Sequence, residues 1–154
     1  MIEIRKSTLQ DCESVYGLIC EMEAKVLPFE AFKEIYARQQ TDADYVCLVC
    51  VEDGRVVGCI NLRMEYQLHH AGRICEIMEL AVAGDCRCGG LGTRLFKSAC
   101  ECAKQEGCIQ IEVCCNQLRM RTHKFYQVQG MHNFHYKFSM SFNLQDDAEN
   151  RLGR

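Results

Sequence analysis

Arg87-Cys88-Gly89-Gly90-Leu91-Gly92 is the stretch with the most chemistry to offer. Its three glycines let the backbone come close to a ligand and turn several N–H groups toward it. Before it lies a short apolar run, 74–82, bounded by Gly72 and Gly84, which reads as a strand. After it, in residues 90–104, Leu91, Leu95, Ala99 and Cys102 recur about four apart, and Gly107 falls where a helix would stop. A helix starting at the glycines adds the positive end of its dipole. The chemistry offered is anion binding, phosphate above all. The dinucleotide fingerprint is excluded because position 95 is Leu95, and a P-loop is excluded because no Lys-Ser/Thr pair follows. An ordinary glycine-rich turn is the competing reading.

Glu76 and Glu79 interrupt the apolar strand before that loop. Carboxylates in a central strand are costly when buried, so their presence asks for a use, such as taking a proton or holding an amine. Alternation places Glu79 on the face opposite Glu76 unless a bulge intervenes. Ion pairing with Arg63 or Arg73, or exposure at the sheet face, would also account for them.

Thirteen cysteines are an odd number and cannot all pair internally. Most stand at apolar positions and read as small buried hydrophobes in a reducing compartment. Cys47-Leu48-Val49-Cys50 has the spacing of a metal or redox pair, but a strand points its two ends to opposite faces. A cysteine-based metal or redox module is therefore disfavoured. Cys86 and Cys88, flanking Arg87, are the expected exposed thiols.

The elements that must position these residues follow from periodicity. Residues 2–6 alternate as a half-buried strand, and 11–25 carry Val15, Leu18, Ile19 and Met22 at helical spacing. Pro28 opens a second helix with Phe29, Phe32, Ile35 and Tyr36 as its apolar set. Residues 45–52 and 56–66 are strands joined at Asp53-Gly54, and 67–72 connect them to the strand at 74–82. Another strand is expected at 109–115, a helix at 119–129 stopping at Gly130, and one or two strands at 131–144. The chain of 154 residues reads as one domain over 1–144 with a polar tail at 145–154. A net charge of −3 carries no nucleic-acid signature, and no apolar run reaches the ~18 residues that span a membrane. The opening residues lack the apolar core of a signal peptide, so a cytoplasmic location is expected.

Arg-x-x-Gly-x-Gly, on Arg87, Gly90 and Gly92, between a strand and a helix, resembles the coenzyme A pyrophosphate loop of the GNAT N-acetyltransferase superfamily. The element order resembles that superfamily along nearly the whole chain. The fold it implies is α+β, a mixed and mostly antiparallel central sheet with flanking helices. The cosubstrate it implies is acetyl-CoA. Two strands, here 74–82 and 109–115, would splay apart, with backbone at Leu80, Ala81 and Val82 pairing the pantetheine arm. Arg87, Cys88, Gly89, Gly90, Leu91, Gly92 and Thr93 would surround the pyrophosphate, with Arg87 either touching phosphate or ordering the loop. Asn116 resembles the family asparagine near the cofactor, and would otherwise cap the following helix. Phe125-Tyr126 with Gly130 resembles the segment whose tyrosine protonates the leaving thiolate, and Tyr126 would contact the cofactor there. By position Glu76 resembles the family's base, directly or through water, and Glu79 is the second carboxylate offered for catalysis or acceptor binding.

Val15-Tyr16-Gly17-Leu18-Ile19-Cys20-Glu21, Leu68-His69-His70, Glu76-Ile77-Met78-Glu79-Leu80 and His123-Lys124-Phe125-Tyr126 are similar to the aminoalkylphosphonate N-acetyltransferases. Cys88-Gly89 departs from the usual Gly-Lys or Gly-Arg order in the loop. The resemblance implies a small amine bearing a phosphonate as acceptor, near His70, Arg63 and Glu79. Arg73, Lys124 and Lys137 are further cations. Some members of that family are stimulated by divalent metal. The five histidines could serve metal or phosphonate, or be ordinary surface residues, and the sequence leaves a metal open. The expected partner is a small-molecule amine, with no nucleic acid or membrane, and a homodimer stays open. The alternatives are acetyl transfer to another amine (a polyamine, an aminoglycoside, a protein N-terminus), or a non-catalytic acyl-CoA-binding regulatory domain.

Overall fold

The computed structural model describes residues 1–143, so the polar tail expected at 145–154 lies outside the described residues. Five strands form one sheet in the order β1-β2-β3-β4-β5. They are β1 (Ile2–Lys6), β2 (Tyr45–Glu52), β3 (Arg55–Gln67), β4 (Gly72–Val82) and β5 (Gln110–Val113). The first four pair antiparallel and β5 joins β4 in parallel. The helices are α1 (Cys12–Glu23), α2 (Phe29–Gln40), α3 (Leu91–Gln105) and α4 (Met120–Val128). Met1–Cys114 is one unit, holding the sheet and three helices; the second unit begins at Cys115 and holds α4.

In the first unit α1 and α2 cover one face of the sheet. Cys12, Val15, Leu18 and Ile19 of α1 and Tyr36 of α2 pack with Val49, Cys59 and Ala81. Burying each large apolar side chain contributes roughly 1.5–3 kcal/mol. Tyr16 stands edge-on to Phe29 and Phe32, locking the two helices together. Ile35 departs from the expected apolar set of α2, being 55% exposed. On the opposite face α3 lays down Leu91, Leu95, Phe96, Ala99 and Ala103. A Cβ at Gly58 would stand only 3.0 Å from Cδ1 of Leu95, so glycine is what lets α3 settle on β3.

The cysteines divide largely as their apolar positions imply. Cys50, Cys59 and Cys75 are fully buried, and all thirteen are free. Burial pushes the Cys47 thiol up to about 11, so it stays protonated. Cys88 is exposed as expected and Cys86 only half so, while Cys114 is a second exposed thiol that periodicity did not single out.

One expectation fails. Residues 131–143 contain no strand. Alternation specifies a strand only when a second strand supplies hydrogen bonds to its backbone. Among the described residues the segment has no such neighbour.

Candidate active site

The register of β3 against β4 decides where the two acids point. Arg63 stands opposite Glu76 and Leu62 opposite Ile77, but Asn61 stands opposite Glu79. The pairing therefore slips by one residue at Met78, and a bulge intervenes. That extra residue returns Glu79 to the face that Glu76 occupies. Both carboxylates then look toward the α1–α2 side, alongside Asn61 and Arg63 of β3.

A continuous polar chain runs along this face. One guanidinium nitrogen of Arg63 donates to Glu76 Oε2 at 2.7 Å and to Glu65 Oε1 at 3.2 Å. Gln67 donates to the same Glu65 oxygen and meets His70 Nδ1 at 2.6 Å. Sequence reasoning grouped His70, Arg63 and Glu79 at the acceptor; Arg63 and His70 are joined here through Glu65 and Gln67, and Glu76 joins them, while Glu79 does not. Glu79 has a different partner: Asn61 Nδ2 donates to its Oε2 at 2.9 Å, and also to Gln39 Oε1 of α2. Desolvation raises the Glu79 pKa above the ordinary carboxylate value, against the opposing effect of the Asn61 hydrogen bond. Beside it opens a cavity of about 580 Å³, lined among others by Tyr36, Gln39, Tyr45, Cys47, Asn61 and Glu79. Tyr36 is no proton donor to that space, since its hydroxyl donates to Thr8 O at 2.7 Å.

The parallel pairing of β4 with β5 ends at Ile77 and Val113. β4 continues to Val82, still paired on its other side with β3 through Gly58–Asn61. From Met78 to Val82 the backbone edge on the β5 side thus has no β5 partner. Leu80, Ala81 and Val82 lie on this parted stretch.

The glycine loop follows directly. A short 3₁₀ segment, Gly84–Gly89, leads to Gly90, whose φ of 72° lies in the left-handed region that favours glycine. The first bond within α3 runs from Arg94 N–H to Gly90 O. Leu91 and Gly92, ahead of it, have N–H groups at the positive helix end with no intrahelical acceptor, and Thr93 adjoins them. The loop is tied down from two sides. Arg55 grips Asp85 with two hydrogen bonds, and Glu21 Oε1 of α1 accepts from Gly84 N–H at 2.9 Å. Arg87 donates from Nε to Val82 O and from a terminal nitrogen toward Glu21 at 3.4 Å. Those contacts are loop-ordering ones. Cys88 and Gly89 stand exposed beside them.

In the second unit Tyr126 is the buried residue of α4, and burial pushes its phenol up to about 12. Asn116 does not cap α4, which starts later, at Met120. Its side chain instead accepts from Leu118 N–H at 2.8 Å, and its carbonyl meets His123 Nε2 at 2.7 Å. Asn116 thus shapes the turn that leads into the helix.

Arg73, another cation considered for the acceptor, is engaged by Asp44 and Glu106. No group of three or more His, Cys, Asp or Glu side chains is placed to hold a metal among the described residues. Sequence reasoning missed Asn61, Gln39 and Glu65. Asn61 carried little signal, because the register back from the Asp53-Gly54 hairpin shifts at Cys50/Val51. Gln39, on the polar side of α2, carried none.

A model of the acetyltransferase (GNAT) family matches residues 12–131. The chain is 36% identical over 137 residues to an aminoalkylphosphonate N-acetyltransferase of Salmonella typhimurium, with 89% of each chain covered. Among solved structures it superposes on a transcriptional regulator from Bacillus halodurans with a TM-score of 0.84 at 20% identity, covering 92% of this chain and 100% of that one. Glucosamine-6-phosphate N-acetyltransferase from Arabidopsis thaliana gives 0.76 at 21%, covering 93% and 99%. AAC(6')-Iy in complex with the bisubstrate analogue CoA-S-monomethyl-acetylneamine gives 0.83 at 13%, covering 93% and 99%. At these identities the structural likeness speaks for the fold, a mixed five-stranded sheet with flanking helices. The sequence matches go further, and the chain belongs to the GNAT family of acetyl-CoA-dependent acetyltransferases.

Proposed function

We propose that residues 1–144 form one acetyltransferase domain, which moves the acetyl group of acetyl-CoA to the primary amine of a small aminoalkylphosphonate, in the cytoplasm. The observation that carries the acceptor reading is the 36% identity to the Salmonella typhimurium aminoalkylphosphonate N-acetyltransferase over 89% of the chain. The polar face beside the α1–α2 cavity is where the amine would sit.

The parted edge of β4, at Leu80, Ala81 and Val82, offers backbone groups to the pantetheine amides. The amides of Leu91, Gly92 and Thr93, with Gly89 and Gly90 keeping the approach open, hold the pyrophosphate. Arg87 and Cys88 flank it, and Arg87 serves by holding the loop to Glu21. Asn116 is the asparagine that would touch the cofactor, as the family resemblance implies.

Glu79 is the better base of the two acids. Desolvation makes its carboxylate hold a proton more tightly, and among the described residues its hydrogen-bond partner is a neutral amide. Glu76 is already held by Arg63 at 2.7 Å and orders the acceptor side. The arriving ammonium, with a pKa near ~10, gives its proton to Glu79 directly or through water. The freed lone pair forms the C–N bond as the C–S bond breaks. Tyr126 donates to the sulfur that leaves with the electron pair. Burial keeps that phenol protonated through the neutral range. Full transfer from it to a thiolate near ~8.5 is uphill, so its main contribution is a hydrogen bond to the developing charge.

One observation favours a different acceptor. The face carries Glu65, Glu76, Glu79 and, opposite Glu76, Glu112, against the guanidinium of Arg63, while the Arg5 guanidinium on the same face is held by Asp11. Lys6 is the one lysine or arginine lining the cavity. So acidic a surface suits a polycationic amine better than a phosphonate dianion.

A panel of amines scored by coenzyme A release separates these readings. 2-Aminoethylphosphonate should exceed ethylamine in kcat/KM, and both should exceed spermidine. Equal turnover of ethylamine and aminoethylphosphonate refutes phosphonate recognition, preference for spermidine establishes the polycation reading, and no release with any amine favours a regulatory acyl-CoA-binding domain.

A further inference from the structure

Asn61 gives away both hydrogens of one amide nitrogen. Its Nδ2 donates to Glu79 Oε2 and to Gln39 Oε1, each at 2.9 Å. A carboxylate only accepts, so this pairing fixes which way the Asn61 amide faces. Gln39 is fixed in turn: its oxygen is spent on Asn61, and its Nε2 takes the other branch. Among the described residues no group accepts from that Nε2. It is not a buried orphan either, since Arg63 Nε and Arg73 Nε are the buried side-chain donors that lack a partner there. Gln39, Asn61 and Glu79 all line the cavity beneath α1 and α2. The unspent N–H groups of Gln39 are therefore reached from that cavity.

The surrounding charges leave this donor without a rival. On this face of the sheet Arg63 is engaged by Glu65 and Glu76, and Arg5 by Asp11. Lys6 lines the cavity, but it pairs with Leu48, one residue off the face that Val49 shows to α1, and its charge lies near Cys102 of α3. An oxygen-bearing group on an acceptor thus meets a neutral donor here, not an unpaired cation. The spacing suits a short acceptor. Gln39 Oε1 and Glu79 Oε2 share one donor nitrogen, so they are at most twice 2.9 Å apart. In 2-aminoethylphosphonate two carbons and a phosphorus separate the amine from a phosphonate oxygen, a span of roughly 3–5 Å at ordinary bond lengths.

We propose that Gln39 is a specificity-determining residue for the acceptor: with the amine at Glu79, Gln39 Nε2 donates to an oxygen of the group two carbons away. This rests on the acceptor reading given above and names the side chain that reads the second group. A hydrogen bond to a charged oxygen is among the stronger ones. A site that offers such a donor discriminates against an amine that lacks the oxygen, because the donor is then left unpaired.

Gln39→Glu is the test. The new carboxylate keeps an oxygen for Asn61 Nδ2, so Asn61 still holds Glu79, and only the NH2 becomes an oxygen. Parent and variant are compared by coenzyme A release with 2-aminoethylphosphonate, ethylamine and 1,2-diaminoethane. A second acid beside Glu79 alters kcat/KM for every amine, so the ratios to ethylamine are what is read. The phosphonate-to-ethylamine ratio should fall about tenfold or more, and the diamine-to-ethylamine ratio should rise. Gln39→Met removes the donor and adds no charge. It should lower the first ratio and leave the second alone. One common factor for all three amines in both variants is the mark of a packing residue and overturns the proposal. So does a phosphonate-to-ethylamine ratio that Gln39→Met leaves at the parental value. If the parent prefers the phosphonate and that ratio does not move, the acceptor reading stands and Gln39 is not what reads it. If the parent shows no preference, phosphonate recognition fails, and a ratio lowered by Gln39→Met still assigns the donor. No release from the parent with any of the three overturns both.

Discussion

Asn61 donates to Glu79 across β3 and β4 at 2.9 Å only because the register slips at Met78. Without that slip Glu79 would point to the α3 side, away from Glu76. The bulge thus converts a strand with one acid on each face into a strand with two acids on the same face. The pairing of β4 with β5 ends beside the same bulge, at Ile77 and Val113.

Glu79→Gln tests the base and the cost of keeping it. The amide keeps the shape and still accepts from Asn61, but it takes no proton. kcat/KM should fall by about 10²-fold or more, and the acid limb of its pH profile should vanish. Stability should move the other way. A carboxyl whose folded pKa is raised binds a proton more tightly folded than unfolded, so stability falls as pH rises through the interval above 4.5. The variant should therefore melt higher than the parent at pH 7, and the difference should disappear near pH ~4, where both states are protonated. Turnover equal to the parent across the profile assigns the base elsewhere.

Gly92→Asp tests the cofactor loop. It places a negative charge at the N-terminal end of α3, where the pyrophosphate would meet the backbone amides. Acetyl-CoA binding should be lost by calorimetry while the circular dichroism stays that of the parent. Unchanged affinity in a folded variant sinks the assignment of Gly89–Thr93 to phosphate.

Asp11→Ala is expected to cost stability without touching the chemistry. Asp11 is 7% exposed and accepts from Arg5 twice and from Thr8 N–H. Breaking a buried pair costs about 3–5 kcal/mol, and the low end applies because Arg5 stays partly in water. The Arg5 contacts hold the Asp11 carboxyl below its usual value, so this stability is present above about pH 4 and is lost as pH falls through the lowered pKa. Urea titration at pH 7 and pH 3 should show the parent–variant difference shrinking at the lower pH, and kcat of the folded variant should hold.

Much of this was legible because local pattern and tertiary need agreed. Val15, Leu18 and Ile19 recur at helical spacing and are buried; the glycine loop sits between β4 and α3, as its flanks require. The bulge was not legible, since nothing in Glu76-Ile77-Met78-Glu79 announces which residue is extra. Register is settled by the partner strand and the packing on both faces, not by the strand itself. Ile35 misled because an apolar residue at helical spacing can also rim a cavity, which is where it stands. The segment from Met131 misled for a similar reason: its alternation names a strand but not the strand it pairs with.

Tyr126→Phe carries the last prediction. The ring stays in its buried place on α4, and only the hydroxyl is lost. A positioned donor is worth about 10²–10⁴-fold, so kcat should fall by a factor in that range. The charge on sulfur arises after the amine has attacked, so acetyl-CoA affinity should change little. Burial holds the phenol near 12, which adds a pH signature. The parent should keep its donor well above the ~10 at which a free phenol ionises, so no basic limb belonging to Tyr126 should appear below pH 10. Turnover and calorimetric affinity measured on one preparation decide the matter. A variant with parental kcat, under conditions where chemistry limits the rate, makes Tyr126 a packing residue and leaves water to protonate the thiolate.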